Sequence, residues 1–78
     1  LGEELLRVLA RALVSRPDEV RVTRVSREGR VILTLEVAPE DMGRVIGKDG
    51  RVIKAIRKVV RTTGGAEGKS ASVEVVAR

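Results

Sequence analysis

Val45-Ile46-Gly47-Lys48-Asp49-Gly50-Arg51-Val52-Ile53 sets two apolar segments around a four-residue turn with glycine at each end and polar side chains at its tip. Glycine admits positive φ and lets a second backbone approach, because no Cβ intervenes. A helix ending at Gly47 and another beginning near Gly50 aim unsatisfied N–H groups at the turn, where the helix dipole adds partial positive charge. Such a place favours phosphate. The turn reads as a seat for a nucleic-acid backbone.

Charge points the same way. Between Arg44 and Arg61 stand seven basic residues, Arg44, Lys48, Arg51, Lys54, Arg57, Lys58 and Arg61, and one acid, Asp49. The segment carries +6 while the whole chain carries +5, so the positive charge belongs to the turn and the segment after it. A localised patch is the electrostatic footprint of a polyanion partner, whereas scattered basic residues mainly promote solubility.

With 78 residues the chain reads as one small domain over 1–78, and 42% apolar with 35% charged residues is a folding composition. Phe, Trp and Tyr are absent, so Val, Leu and Ile must build the core. The lack of Cys excludes disulfides, thiolate metal sites and thiol catalysis, and fits a reducing, cytoplasmic setting. No apolar run approaches the roughly 20 residues that span a bilayer, and no secretory signal is visible. Asn and Gln are missing, and Arg outnumbers Lys twelve to four. Loss of thermolabile amides fits a thermophile, and Arg richness equally fits a GC-rich genome.

Leu5, Leu6, Leu9, Ala12 and Leu13 fall on one side of a 3.6-residue period, opposite Glu4, Arg7 and Arg11, which predicts an amphipathic helix over about 2–15. Pro17-Asp18 ends it. Val20 and Val22 begin a strand whose alternation slips near Arg24-Val25; Arg27-Glu28-Gly29-Arg30 is a turn. Val31, Leu33, Leu35 and Val37 then alternate cleanly, so the two strands are expected to be antiparallel neighbours. Pro39 suits a first helical turn, with Glu40 and Asp41 complementing the dipole.

A short helix to Ile46 precedes the glycine turn, and a helix over about 51–62 comes after it. In that helix Val52, Ile53, Ile56, Val59 and Val60 cover one arc. Arg51, Lys54, Lys58 and Arg61 share another, about 15 Å long. Gly64-Gly65 is read as the helix stop, Gly68 as a loop residue, and about 71–77 as a last strand. The predicted order is α-β-β-α-α-β.

Those residues resemble the KH domain, whose signature Ile-Gly-x-x-Gly-x-x-Ile lies between two helices and is matched from Ile46 to Ile53. A helix and two strands before it and one strand after is the order of the bacterial type II form. The resemblance covers the whole chain. It implies an α+β fold with a mixed three-stranded sheet packed against three helices, and an RNA-binding function without catalysis or cofactor. By resemblance, about four nucleotides of single-stranded RNA lie between the turn-flanking helices and a sheet edge.

The expected contacts are Gly47, Lys48, Asp49, Gly50 and Arg51 at the turn, with Lys54, Lys58 and Arg44 extending the positive track. Ile46, Val52 and Ile53 offer an apolar floor to the bases. Small stand-alone bacterial members of the family work as RNA chaperones or post-transcriptional regulators. They pair with themselves or with a larger KH-containing protein, so a homodimer or heterodimer is an expected partner state.

Each signal has a plainer reading. Gly47 and Gly50 suit any helix–turn–helix link, and a basic arc is often a solvated helix face. Here the arc lacks the interspersed acids of a neutral surface. Asp49, an anion, fits a local cap better than an RNA ligand, and core packing alone accounts for Ile53. Gly43 and Gly47 stand one residue too close for a phosphate-binding Walker loop, and Asp49 replaces its Ser or Thr. Without His or Cys, the common bases and metal ligands of catalysis are missing.

Two rival functions use the same fold: a dimerisation or protein-interaction module, and a binder of single-stranded DNA. Val59 and Val60 extend the apolar arc beyond what one small core requires, making the outer surface of the 51–62 helix the expected dimer surface.

Overall fold

A computed structural model describes residues 2–63 and 71–78. Helix α1 spans Gly2–Leu13, strand β1 Arg21–Arg27, strand β2 Arg30–Val37, helix α2 Met42–Ile46, helix α3 Arg51–Thr63 and strand β3 Ala71–Ala77. The sheet order is β1-β2-β3, with β1 antiparallel to β2 and β2 parallel to β3. This is the α+β, type II KH arrangement expected from the sequence. The readings at Gly64-Gly65 and Gly68 lie outside the described residues.

The alternation of β2 decides which face the helices cover. Val31, Leu33, Leu35 and Val37 are buried, while the residues between them are half-buried. Ala71 and Val73 on β3 extend the buried face, which meets Leu6 and Ala10 of α1, Val45 of α2 and Ile53, Ile56 and Val60 of α3. Each Val, Leu or Ile fully withdrawn from water stabilises the fold by about 1.5–3 kcal/mol. Aliphatic side chains alone fill this core.

Three local expectations need correction, and a fourth holds with a qualification. Helix α1 stops at Leu13, and its buried face centres on Leu6 and Ala10, leaving Ala12 exposed. The alternation of β1 does slip at Arg24-Val25, with every residue after Val22 exposed, yet its register with β2 runs unbroken from Arg21 opposite Glu36 to Arg27 opposite Arg30. What breaks the alternation is Arg24, which shares a strand face with Val22 and lies 3.5 Å from Glu3 of α1. The core thus ends in an ion pair at that margin.

Val60 is 1% exposed and belongs to the core, whereas Val59 is 39% exposed. The start of α1 accounts for this, since a Cβ on Gly2 would stand 3.6 Å from Val60 Cγ1 and 3.5 Å from Leu33 Cδ1. Asp41, read as a helix-end acid, is fully buried and forms no side-chain cap on α2. Its Oδ1 accepts from the Ser15 amide at 2.9 Å and the Ser15 hydroxyl at 2.8 Å. Its Oδ2 accepts from the Arg16 amide at 3.1 Å. The carboxylate thereby fastens the link after α1 to the base of α2.

Candidate nucleic-acid interface

Helix α2 ends because Gly47 turns the chain out of it, with φ 76° and ψ 172°. The Gly47 amide still donates to Gly43 O at 2.8 Å, closing the last turn of α2. Gly50 (φ 73°) then donates to Gly47 O at 3.1 Å, and the Arg51 amide donates to Lys48 O. Two of the amides expected to be free at the turn are therefore engaged within it. Those of Lys48 and Asp49, at the tip, take part in none of these bonds.

Asp49 adopts a left-handed backbone, φ 57° and ψ 23°. Asp is one of the few non-glycine residues that visit this region readily. Its place at the tip follows from that conformation, and among the described residues it makes no capping hydrogen bond. Both side chains at the tip, Lys48 and Asp49, are exposed, as is Arg51.

The expected apolar floor divides in two. Ile46 and Val52 are half-buried beside the turn, whereas Ile53 is 7% exposed and sits in the core. Arg44 also departs from a free contact, since its Nε lies 3.5 Å from Asp41 Oδ1 although the side chain is 61% exposed. Three hydrogen bonds and the positive charge of Arg44 hold the buried Asp41 carboxyl below its ordinary pKa. The Ser15 amide contributes most, and burial opposes the shift.

Along α3 the cations gather. Lys54, Arg57, Lys58, Arg61 and Thr62 line an open depression of about 430 Å³, with no carboxylate among the described lining. Lys54 belongs to the turn as well, because its Cε would lie 3.9 Å from a Cβ on Gly50. One side chain thus joins the tip region to the depression.

Arg57 falls off the basic arc drawn from the sequence, yet it is the most fixed of these cations. Its Nε and Nη2 both donate to Val73 O on β3, at 3.2 and 3.1 Å. A partner that is a backbone carbonyl leaves no trace in sequence patterning. Arg61, which the sequence places on the basic arc, also lines the depression.

Among the described residues no group of three His, Cys, Asp or Glu side chains is placed to hold a metal ion. No described helix is long and apolar enough to cross a membrane.

Comparison with known proteins agrees with this geometry. The family model for the KhpA/KhpB KH domain matches residues 3–75. RNA-binding protein KhpA of Clostridium acetobutylicum is 50% identical over 74 residues, covering 95% of this chain and 99% of that protein. The KhpA of Treponema pallidum is 46% identical over 76 residues, covering 97% and 95%. That of Aquifex aeolicus is 35% identical over 74 residues, covering 95% and 94%. With the glycine turn, the type II topology and these matches together, the chain belongs to the KhpA/KhpB KH-domain family.

Proposed function

We propose that the chain binds single-stranded RNA as one KH unit over 1–78, acting in the cytoplasm as an RNA chaperone or post-transcriptional regulator, with no catalytic step. The observation that carries this reading is Lys54, whose stem lies over Gly50 while the residue lines the cationic depression of α3. A backbone seated at Lys48, Gly50 and Arg51 therefore continues onto Lys54 and Lys58 without meeting an acid other than Asp49. The RNA-binding names of the KhpA relatives support the ligand class.

The roles follow from exposure. Gly47 shapes the turn, and Lys48, Arg51, Lys54 and Lys58 neutralise phosphates. Ile46 and Val52 give the bases a partly buried apolar margin. Arg44 joins them after leaving Asp41, and Ile53 acts only through the core. Without aromatic residues the groove lacks the roughly 1–3 kcal/mol per base that stacking platforms supply, so one unit binds modestly. Pairing with a second copy or a larger KH chain, through the outer side of α3 near Val59, raises affinity by avidity.

The test is an anisotropy titration of a labelled single-stranded RNA against the parent and Lys48→Asp. That variant should lose at least about tenfold in affinity, the scale of one or two lost charge contacts. Its melting temperature should stay near the parent's. Binding within threefold of the parent would remove the turn from the site.

A further inference from the structure

A guanidinium has two hydrogen-bonding edges, and Arg57 has one of them occupied. Nε–H and one N–H of Nη2 form the side edge, which clamps Val73 O at 3.2 and 3.1 Å. The end edge remains, with a second N–H on Nη2 and one on Nη1 forming two parallel donors in a fixed fork. Among the described residues nothing accepts from Nη1, and the side chain is exposed in the depression of α3.

The surroundings sharpen what that fork accepts. Lys54, Lys58 and Arg61 are donors only, and Thr62 Oγ1 already donates to Lys58 O at 2.7 Å. Donors are in excess, so the depression suits a ligand edge with two adjacent acceptors. Guanine offers one in O6 and N7, at the spacing of a guanidinium fork. Adenine sets an amino donor beside N7, and uracil separates O2 from O4 by the N3–H donor. Cytosine, whose amino donor faces the groove in a duplex, offers the other acceptor pair, O2 beside N3, once unpaired. Single-stranded RNA exposes these edges because its bases are unstacked.

The clamp matters as much as the fork. A mobile arginine meets phosphates as readily as bases, whereas one whose side edge is fixed to β3 keeps its end edge in one orientation. Little rotamer freedom is then lost when a base arrives.

We propose that Arg57 is a specificity-determining residue that reads the O6/N7 edge of one guanine in bound RNA. This rests on the RNA-binding reading above, and the experiment separates the two. The full chain is titrated with a short oligouridylate and with the same oligomer carrying one central guanosine. The guanosine oligomer should bind about tenfold more tightly than the oligouridylate and than the same oligomer with one central cytidine, within the range a bidentate base contact gives. A cytidine oligomer that binds as tightly overturns the choice of guanine.

Replacing the guanosine by 7-deazaguanosine, which lacks the N7 acceptor, should return affinity to within about twofold of the oligouridylate. Inosine, which keeps O6 and N7, should bind like guanosine. Arg57→Lys keeps the charge and loses the fork, so it should bring the guanosine oligomer down to the affinity of the oligouridylate in the same variant. Equal binding of guanosine and 7-deazaguanosine, measured on the parent alone, overturns the proposal whether or not the variant folds. Equal losses for both oligomers in Arg57→Lys would make Arg57 a phosphate anchor and overturn it too. Binding without base preference leaves the RNA reading standing, whereas no binding of any oligomer removes both.

Discussion

A Cβ placed on Gly47 would run into Val52 Cγ2 and stand 2.9 Å from the Val52 amide nitrogen, so the second residue of α3 lies where any side chain at 47 would go. The φ of 76° with ψ 172° adds a backbone cost, because that region is essentially confined to glycine. The two glycines of the turn are therefore unequal. Around Gly50 a Cβ would meet nothing closer than 3.9 Å, leaving only its φ of 73° as a constraint. Gly43, inside α2, has neither constraint.

Gly47→Ala should cost about 3 kcal/mol, from strain and the forced shift of Val52. Gly50→Ala should cost about 1–2 kcal/mol. Gly43→Ala should stabilise by about 0.5–1 kcal/mol through lower unfolded-state entropy. Urea unfolding of the three variants checks the order. A Gly47→Ala protein as stable as Gly43→Ala would mean that the turn relaxes freely.

Asp41 gives the chain an acid-sensitive tie. Its folded pKa is lowered from 3.8, chiefly by the Ser15 amide, so its contribution is complete above the unfolded value and lost as pH falls through the folded one. Asp41→Asn should therefore melt several degrees below the parent at neutral pH, with the gap constant down to about pH 4 and closing below it. A gap that persists unchanged at strongly acidic pH would remove the carboxylate's charge as the cause. Arg44 should gain mobility in the same variant, since its ion pair with Asp41 disappears.

How far these features are legible in the sequence depends on the range of the interaction behind them. The glycine turn and the alternation of Val31 to Val37 are local patterns, set by φ and by the two-residue strand period, and the chain order displays both. Asp41 bonds across 25 and 26 positions to Arg16 and Ser15, and no periodicity encodes such a reach. Arg57 answers to a carbonyl, which every residue possesses. Val60 reads as surplus apolar surface because the helical arc cannot reveal that the start of α1, at Gly2, closes over it. The core margin is a tertiary property.

Placement of charge, and not its amount, should govern RNA affinity. Lys54→Glu with Lys58→Glu removes two cations from the depression. Arg11→Glu with Arg27→Glu makes the same net change on exposed positions of α1 and of β1, the sheet edge opposite β3. The first pair should weaken binding far more. It should also reduce the magnitude of the slope of log K against log salt by roughly 1.4, two contacts at about 0.7 each for a single strand. Matching losses and slopes in the two variants would mean general attraction to a basic protein.

Val59 and Val60 are adjacent in α3 and should behave oppositely. Val60→Ala opens a cavity in the core and should cost about 2 kcal/mol, whereas Val59→Ala, at a 39% exposed position, should stay within about 0.5 kcal/mol. Val60→Lys would bury an unpaired charge and unfold the chain before reporting on association. Val59→Lys is the informative change. With pairing through the outer side of α3, sedimentation should show a folded monomer where the parent is dimeric. Its RNA affinity should fall by the lost avidity while the turn's own contacts persist. A Val59→Lys protein that remains dimeric moves the pairing surface off α3. One that is monomeric, folded and wholly unable to bind RNA makes the dimer, and not the single chain, the binding unit.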